Sequence, residues 1–114
     1  MTEFVKRNPS APPRFFACEA VGLAWLDDVD GGVACARVRH HDATSLTLER
    51  LHGTAPDAAA AHAFGERLAV THNAGAAGFG APPSGWDGAG FFGPLSRPLP
   101  MSLTAHDSWG RFYA

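Results

Sequence analysis

The spacing of apolar and polar positions changes several times along this chain, and each change marks an element. Phe4-Val5-Lys6 reads as the end of a short buried strand. The segment from Pro13 to Leu26 then has apolar residues every three or four positions, which predicts an amphipathic helix with Phe16, Ala20, Leu23 and Leu26 on its inner face. Arg7 to Pro13, polar and broken by Pro9, Pro12 and Pro13, is the loop between them. Asp27 to Gly32 ends the helix in a turn; its aspartates lack the ligand spacing and the twelfth-position glutamate of a calcium loop. Val33 to Arg39 and Ser45 to Leu51 both alternate with a period of two and predict strands, joined by a hairpin turn at His40-His41-Asp42. Leu46, Leu48 and Leu51 then close a small antiparallel sheet.

Beyond Thr54-Ala55-Pro56 the pattern becomes helical again. Asp57 is a good N-cap, and the alanine-rich run Ala58 to His72 predicts a long helix with Phe64, Leu68 and Thr71 or His72 on one face. His72 falls at its C-terminal end, where the helix dipole favours an imidazolium, and is read as structural. From Ala74 to Pro100 glycine and proline dominate, so regular structure should be sparse, with Phe79, Trp86, Phe91 and Phe92 packing against the helix. Asp107 to Ala114 begins another helix.

Composition narrows the function classes. With 114 residues and a net charge of −2, the chain suits one modest core, and it carries no basic stripe of the kind nucleic acid requires. No apolar run approaches the roughly 20 residues that span a bilayer, and the start is not that of a signal peptide, which makes the cytoplasm the expected location. Cys18 and Cys35 lie in apolar surroundings without metal or redox spacing and read as buried reduced thiols. His40, His41 and Asp42 raise the question of a metal, but neighbours on a strand point to opposite faces, and no metal site is expected there.

The pair that carries chemistry is Lys6 and Glu19. A lysine on a strand and a glutamate on the next helix can meet, and in kinase-like folds such a carboxylate orients a lysine that holds nucleotide phosphates. Two solvated side chains would fit the same spacing.

Around that pair the chain resembles the fructosamine (ketosamine) kinases, relatives of aminoglycoside phosphotransferases with a protein-kinase-like fold. The residues that carry the resemblance run nearly end to end: Phe4-Val5-Lys6, Glu19-Ala20-Val21-Gly22-Leu23-Ala24-Trp25-Leu26, Leu48-Glu49, His72, Phe79-Gly80, Phe92-Gly93-Pro94-Leu95 and Asp107-Ser108-Trp109-Gly110-Arg111-Phe112-Tyr113. The chain departs from the family at Ala89-Gly90, where Asp-Asn is usual, and at Ser96-Arg97-Pro98-Leu99, where Pro-Gln-Pro-Asn is usual. The resemblance implies an α+β fold: residues 1–53 as part of a kinase-like N-lobe, a small antiparallel sheet with one helix, and residues 54–114 as the start of a helical C-lobe. It implies ATP and magnesium as cofactors and ketoamine adducts (fructosamine or ribulosamine) as substrates, phosphorylated at the hydroxyl next to the ketone. Lys6 would hold the phosphates, Glu19 would hold Lys6, and Glu49, Arg50 and Leu51 would form the hinge that reads adenine.

The glycine-rich loop, the catalytic aspartate and the magnesium ligands that this chemistry needs have no counterpart in the sequence. The chain is therefore expected to be an incomplete piece of such a kinase, inactive alone. Two other readings stay open: a non-catalytic module of kinase-like architecture, self-associating through exposed apolar side chains, and an aminoglycoside-type phosphotransferase relative.

Overall fold

The computed structural model describes residues 2–114. It is an α+β arrangement of two small antiparallel sheets and three helices: β1 (Glu3–Arg7), α1 (Phe15–Asp27), β2 (Val38–His41), β3 (Ser45–Glu49), α2 (Ala58–Ala74), β4 (Gly90–Phe92), β5 (Leu99–Met101) and α3 (Trp109–Tyr113). The first sheet has the order β1-β3-β2, and β4 and β5 form a separate hairpin. No described helix is long and apolar enough to cross a membrane.

Register explains the core. Phe4 pairs with Leu48 and Lys6 with Leu46, while Val38 and His41 meet the same two leucines from the other side. Directly opposed residues in an antiparallel pair share a face, so these side chains form one face of the sheet. The apolar stripe of α1 covers it: Phe16 and Ala20 are buried against Leu46 and Leu48, with Leu23 and Val38 packed at the margin. Most contacts of α1 with this sheet fall on β2 and β3, and Phe4 on the edge strand is 45% exposed, not buried as its apolar surroundings suggest. Leu26 is also exposed, in a cleft that it lines with Val70 and Thr71.

Three boundaries differ from the expected ones, the first two for a hydrogen-bonding reason. The strand expected over Val33–Arg39 is regular only from Val38, because the Val33 N–H donates to the Thr71 hydroxyl at 2.9 Å and the Cys35 N–H to Asp27 Oδ1 at 2.8 Å. His40 and His41 belong to β2, not to the turn, which is built by Asp42: its Oδ1 accepts from the Thr44 N–H at 2.9 Å and from the Ser45 hydroxyl at 3.1 Å. The Ser45 strand ends at Glu49, leaving Leu51 exposed outside the sheet core.

The Asp42 turn gives a pH prediction. The Thr44 N–H, followed by the Ser45 hydroxyl, holds the Asp42 carboxyl below its ordinary value of 3.8. A depressed folded-state pKa contributes stability above the unfolded value and loses it as pH falls through the folded one. An NMR titration of the Asp42 carboxyl carbon should therefore give a midpoint under 3.8, with the advantage of wild type over Asp42→Asn fading on acidification below that value; a midpoint at or above it would contradict this account of the turn.

Asp57 caps α2 as its sequence predicts, accepting from the Ala60 N–H at 2.7 Å, and the helix ends at Gly75, whose φ of 73° suits glycine. No residue of α2 is buried, so its alanine-rich face has no cover within the described chain. The segment after it contains two short strands, β4 and β5, and returns to the first half of the chain. Phe91 packs edge-on against Phe15 of α1 with ring centroids 5.4 Å apart. Trp86 is buried beneath the Arg14 guanidinium, 4.1 Å from the ring centroid, whereas Phe79 and Phe92 are exposed. The helix that receives these aromatics is α1, and only Phe91 and Trp86 are engaged near it.

Candidate functional site

Alternation along β1 places Lys6 on the face that α1 covers, and Glu19 follows Phe16 by one helical turn, which keeps it beside the buried stripe. The two meet: Lys6 Nζ donates to Glu19 Oε1 at 2.5 Å, with side chains 31% and 27% exposed. A lysine ammonium has three donors, so one bond to Glu19 leaves capacity for a second, anionic partner.

A pocket of ≈ 300 Å³ opens beside this pair, lined by Lys6, Glu19, Phe15 and Cys18 and by Phe91 and Phe92 of β4 with Gly93 and Leu95 after them. That volume is at the lower end for small-molecule sites. Its far wall comes from a remote part of the chain, held by two contacts. Arg14 donates to the Asp87 carbonyl at 2.9 Å and to Asp87 Oδ1 at 3.0 Å. Buried Asn8 donates to the Leu95 carbonyl at 2.9 Å while accepting from the Ser10 N–H. Arg14 has a φ of 68°, a left-handed conformation that is costly for a side-chain-bearing residue and is held here by these contacts. Sequence reasoning did not find Asn8, Arg14, Asp87 or Phe91 as members of this site. The only local signal was Asn8-Pro9-Ser10, a turn-forming pattern.

Cys18 and Cys35 are free and half-buried, less enclosed than their apolar neighbours suggest. Burial pushes the Cys18 thiol above its ordinary 9.0, with Arg14 opposing and Glu19 adding to the shift. Cys35 is raised by burial and by Asp27. Both shifts disfavour the thiolate, so Cys18 offers the pocket a weakly polar wall.

The remaining expected site residues sit along β3. Lys6 is opposite Leu46, so Glu49 is three positions further on, about 10 Å along the strand. The Glu49 N–H is bonded to the Arg37 carbonyl at 2.9 Å and the Arg50 N–H to the Thr2 carbonyl at 2.8 Å. Glu49 Oε1 accepts from the Arg37 N–H, and the Arg50 side chain wraps over Phe4 to the Glu3 carbonyl. Leu51 is the first residue beyond this ladder and is 69% exposed.

His40 and His41 point to opposite faces, toward Thr47 and Leu46 levels respectively, and no cluster of three metal-ligating side chains occurs among the described residues. Glu19 is the one carboxylate lining the pocket and is engaged by Lys6, so the donors present suit a phosphate group and do not suit magnesium. No protein-family model, no curated protein and no solved structure matches this chain.

Proposed function

We propose that the chain forms the nucleotide-holding part of an ATP-dependent, cytoplasmic phosphotransferase of the fructosamine (ketosamine) kinase type, whose substrates are ketoamine adducts on glycated proteins or amines. The observation that carries the reading is the 2.5 Å Lys6–Glu19 ion pair beside a pocket with room for an anion. A strand lysine fixed by a helix glutamate is what a nucleotide-phosphate site requires: the carboxylate sets the direction of the ammonium, and its spare donors take phosphate oxygens. In this reading the adenine lies toward the end of β3, where Glu49 and Arg50 have their N–H groups committed to the sheet and Leu51 offers the first backbone outside it. A bound nucleotide would supply the phosphoryl group. The chain's own part is to bind and orient it, because no carboxylate in the pocket is free to take a proton from a sugar hydroxyl. Binding, not turnover, is therefore the property to measure.

Calorimetric titration with a non-hydrolysable ATP analogue should show saturable binding that weakens at least about tenfold in Lys6→Ala. A folded wild-type chain that takes up no analogue would remove this reading. A second reading, a non-catalytic module of the same architecture, is favoured by the uncovered α2, where Phe64 and Val70 are exposed. It predicts a folded chain indifferent to nucleotide.

A further inference from the structure

The edge of the first sheet formed by β1 is open, since among the described residues β1 has β3 on one side and no strand on the other. The ladder shows which backbone groups face outward. The Arg50 N–H donates to the Thr2 carbonyl and the Asn8 N–H to the Thr44 carbonyl, so residues 2, 4, 6 and 8 bond toward β3 and Glu3, Val5 and Arg7 present their amides and carbonyls to the open side. Such an edge is a template for another strand.

We propose that this edge pairs with the same strand of a second copy, antiparallel and centred on Val5. The argument is charge complementarity. About that centre the outward-facing pairs are Val5 with Val5 of the second copy and Glu3 with its Arg7, twice by symmetry, as an isologous two-fold contact requires. Opposite charges directly across an antiparallel pair attract, and like charges repel. A parallel in-register contact would instead set Glu3 beside Glu3 and Arg7 beside Arg7, so the charges on this edge select one orientation and one register. On the other face Phe4, 45% exposed, lies across from Lys6 of the second copy, where the aliphatic stem can cover the ring. The two-fold axis runs through the sheet at β1, whereas most contacts of α1 with the sheet fall on β2 and β3 and only the Lys6–Glu19 pair ties it to β1, so the two helices stand apart on the same side. One outward carbonyl, that of Glu3, already accepts from Arg50 Nε at 3.2 Å and has a second lone pair for the new amide. The inference does not depend on nucleotide binding.

Sedimentation equilibrium of the full chain tests it. Wild type should dimerise. Glu3→Arg and Arg7→Glu should each weaken the dimer about tenfold or more, by placing like charges in both symmetric pairs. An equimolar mixture of these two variants, and the double variant E3R/R7E, should recover it. Val5→Pro removes an outward N–H while leaving every β1–β3 bond, and should be monomeric with an unchanged far-ultraviolet circular dichroism spectrum. If that variant unfolds, the charge series, confined to exposed side chains, still decides. A wild type that stays monomeric overturns the proposal, whether or not another polypeptide adds to the edge. So does a dimer that persists in Glu3→Arg, which would assign association to another surface such as the uncovered face of α2.

Discussion

Phe16→Ala is expected to destabilise the chain by about 3–5 kcal/mol, the range for removing a fully buried aromatic ring when its surroundings cannot collapse. Phe16 is 1% exposed and joins α1 to Leu46 and Leu48 of the central strand, with the Phe15 ring 4.9 Å away. The buried apolar set is small: besides Phe16 it comprises Ala20, Leu46, Leu48 and Trp86, and Trp86 lies outside the cluster that Phe16 holds. Phe15 packs at the margin of that cluster, but no second fully buried ring joins helix to sheet. Against a total stability on the order of 5–15 kcal/mol, the loss removes a large share of the folded population. In urea the midpoint should fall by more than about 1 M, at a slope of about 1–3 kcal/mol per molar. Phe64→Ala is the control, since that ring is 55% exposed on α2 and its removal should change stability by less than about 0.5 kcal/mol. Equal losses in the two variants would mean that the core is not at the α1–β3 contact.

The same two periodicities that locate Phe16 made the centre of the candidate site readable. Alternation along Phe4-Val5-Lys6 and the three-to-four spacing of Phe16, Ala20 and Leu23 together put Lys6 and Glu19 on facing surfaces, and these are local properties of the chain. The Asp57 cap and the alanine run set the bounds of α2 for the same reason, although periodicity could not say that no residue of that helix is buried. Val33 to Arg37 was misread because alternation of side chains carries no information on backbone N–H groups, and here Asp27 and Thr71 captured them. Asp42 moved the hairpin turn past the two histidines by gathering three donors onto one oxygen. The far wall of the pocket was least legible. β4 and β5 are three residues each within a glycine- and proline-rich run, and the contacts that bring them home, Arg14 with Asp87 and Asn8 with Leu95, join positions 73 and 87 residues apart. No local pattern encodes such a meeting.

Whether the Lys6–Glu19 pair serves the fold or a ligand can be separated by a cycle of variants, because stability and binding should respond in opposite ways. Glu19→Ala leaves the Lys6 ammonium about two-thirds enclosed without its partner. The cost should lie between that of an exposed pair, about 0.2–1 kcal/mol, and that of a buried one, about 3–5 kcal/mol, and we expect about 2 kcal/mol. Adding Lys6→Met and Glu19→Leu together removes both charges and fills the space with apolar atoms, so the double variant should recover to within about 1 kcal/mol of wild type. Binding of an ATP analogue should follow another order. Glu19→Ala keeps the charge but loses its aim, and should bind more weakly than wild type yet better than Lys6→Met. Once the lysine is gone the glutamate has nothing to orient, so the double variant should bind no better and no worse than Lys6→Met, a non-additivity expected of residues acting through one contact. A double variant that is stable and binds the analogue like wild type would make the pair structural and remove Lys6 from the phosphate site. A stable double variant that has lost binding would assign the lysine to the ligand and the glutamate to holding it.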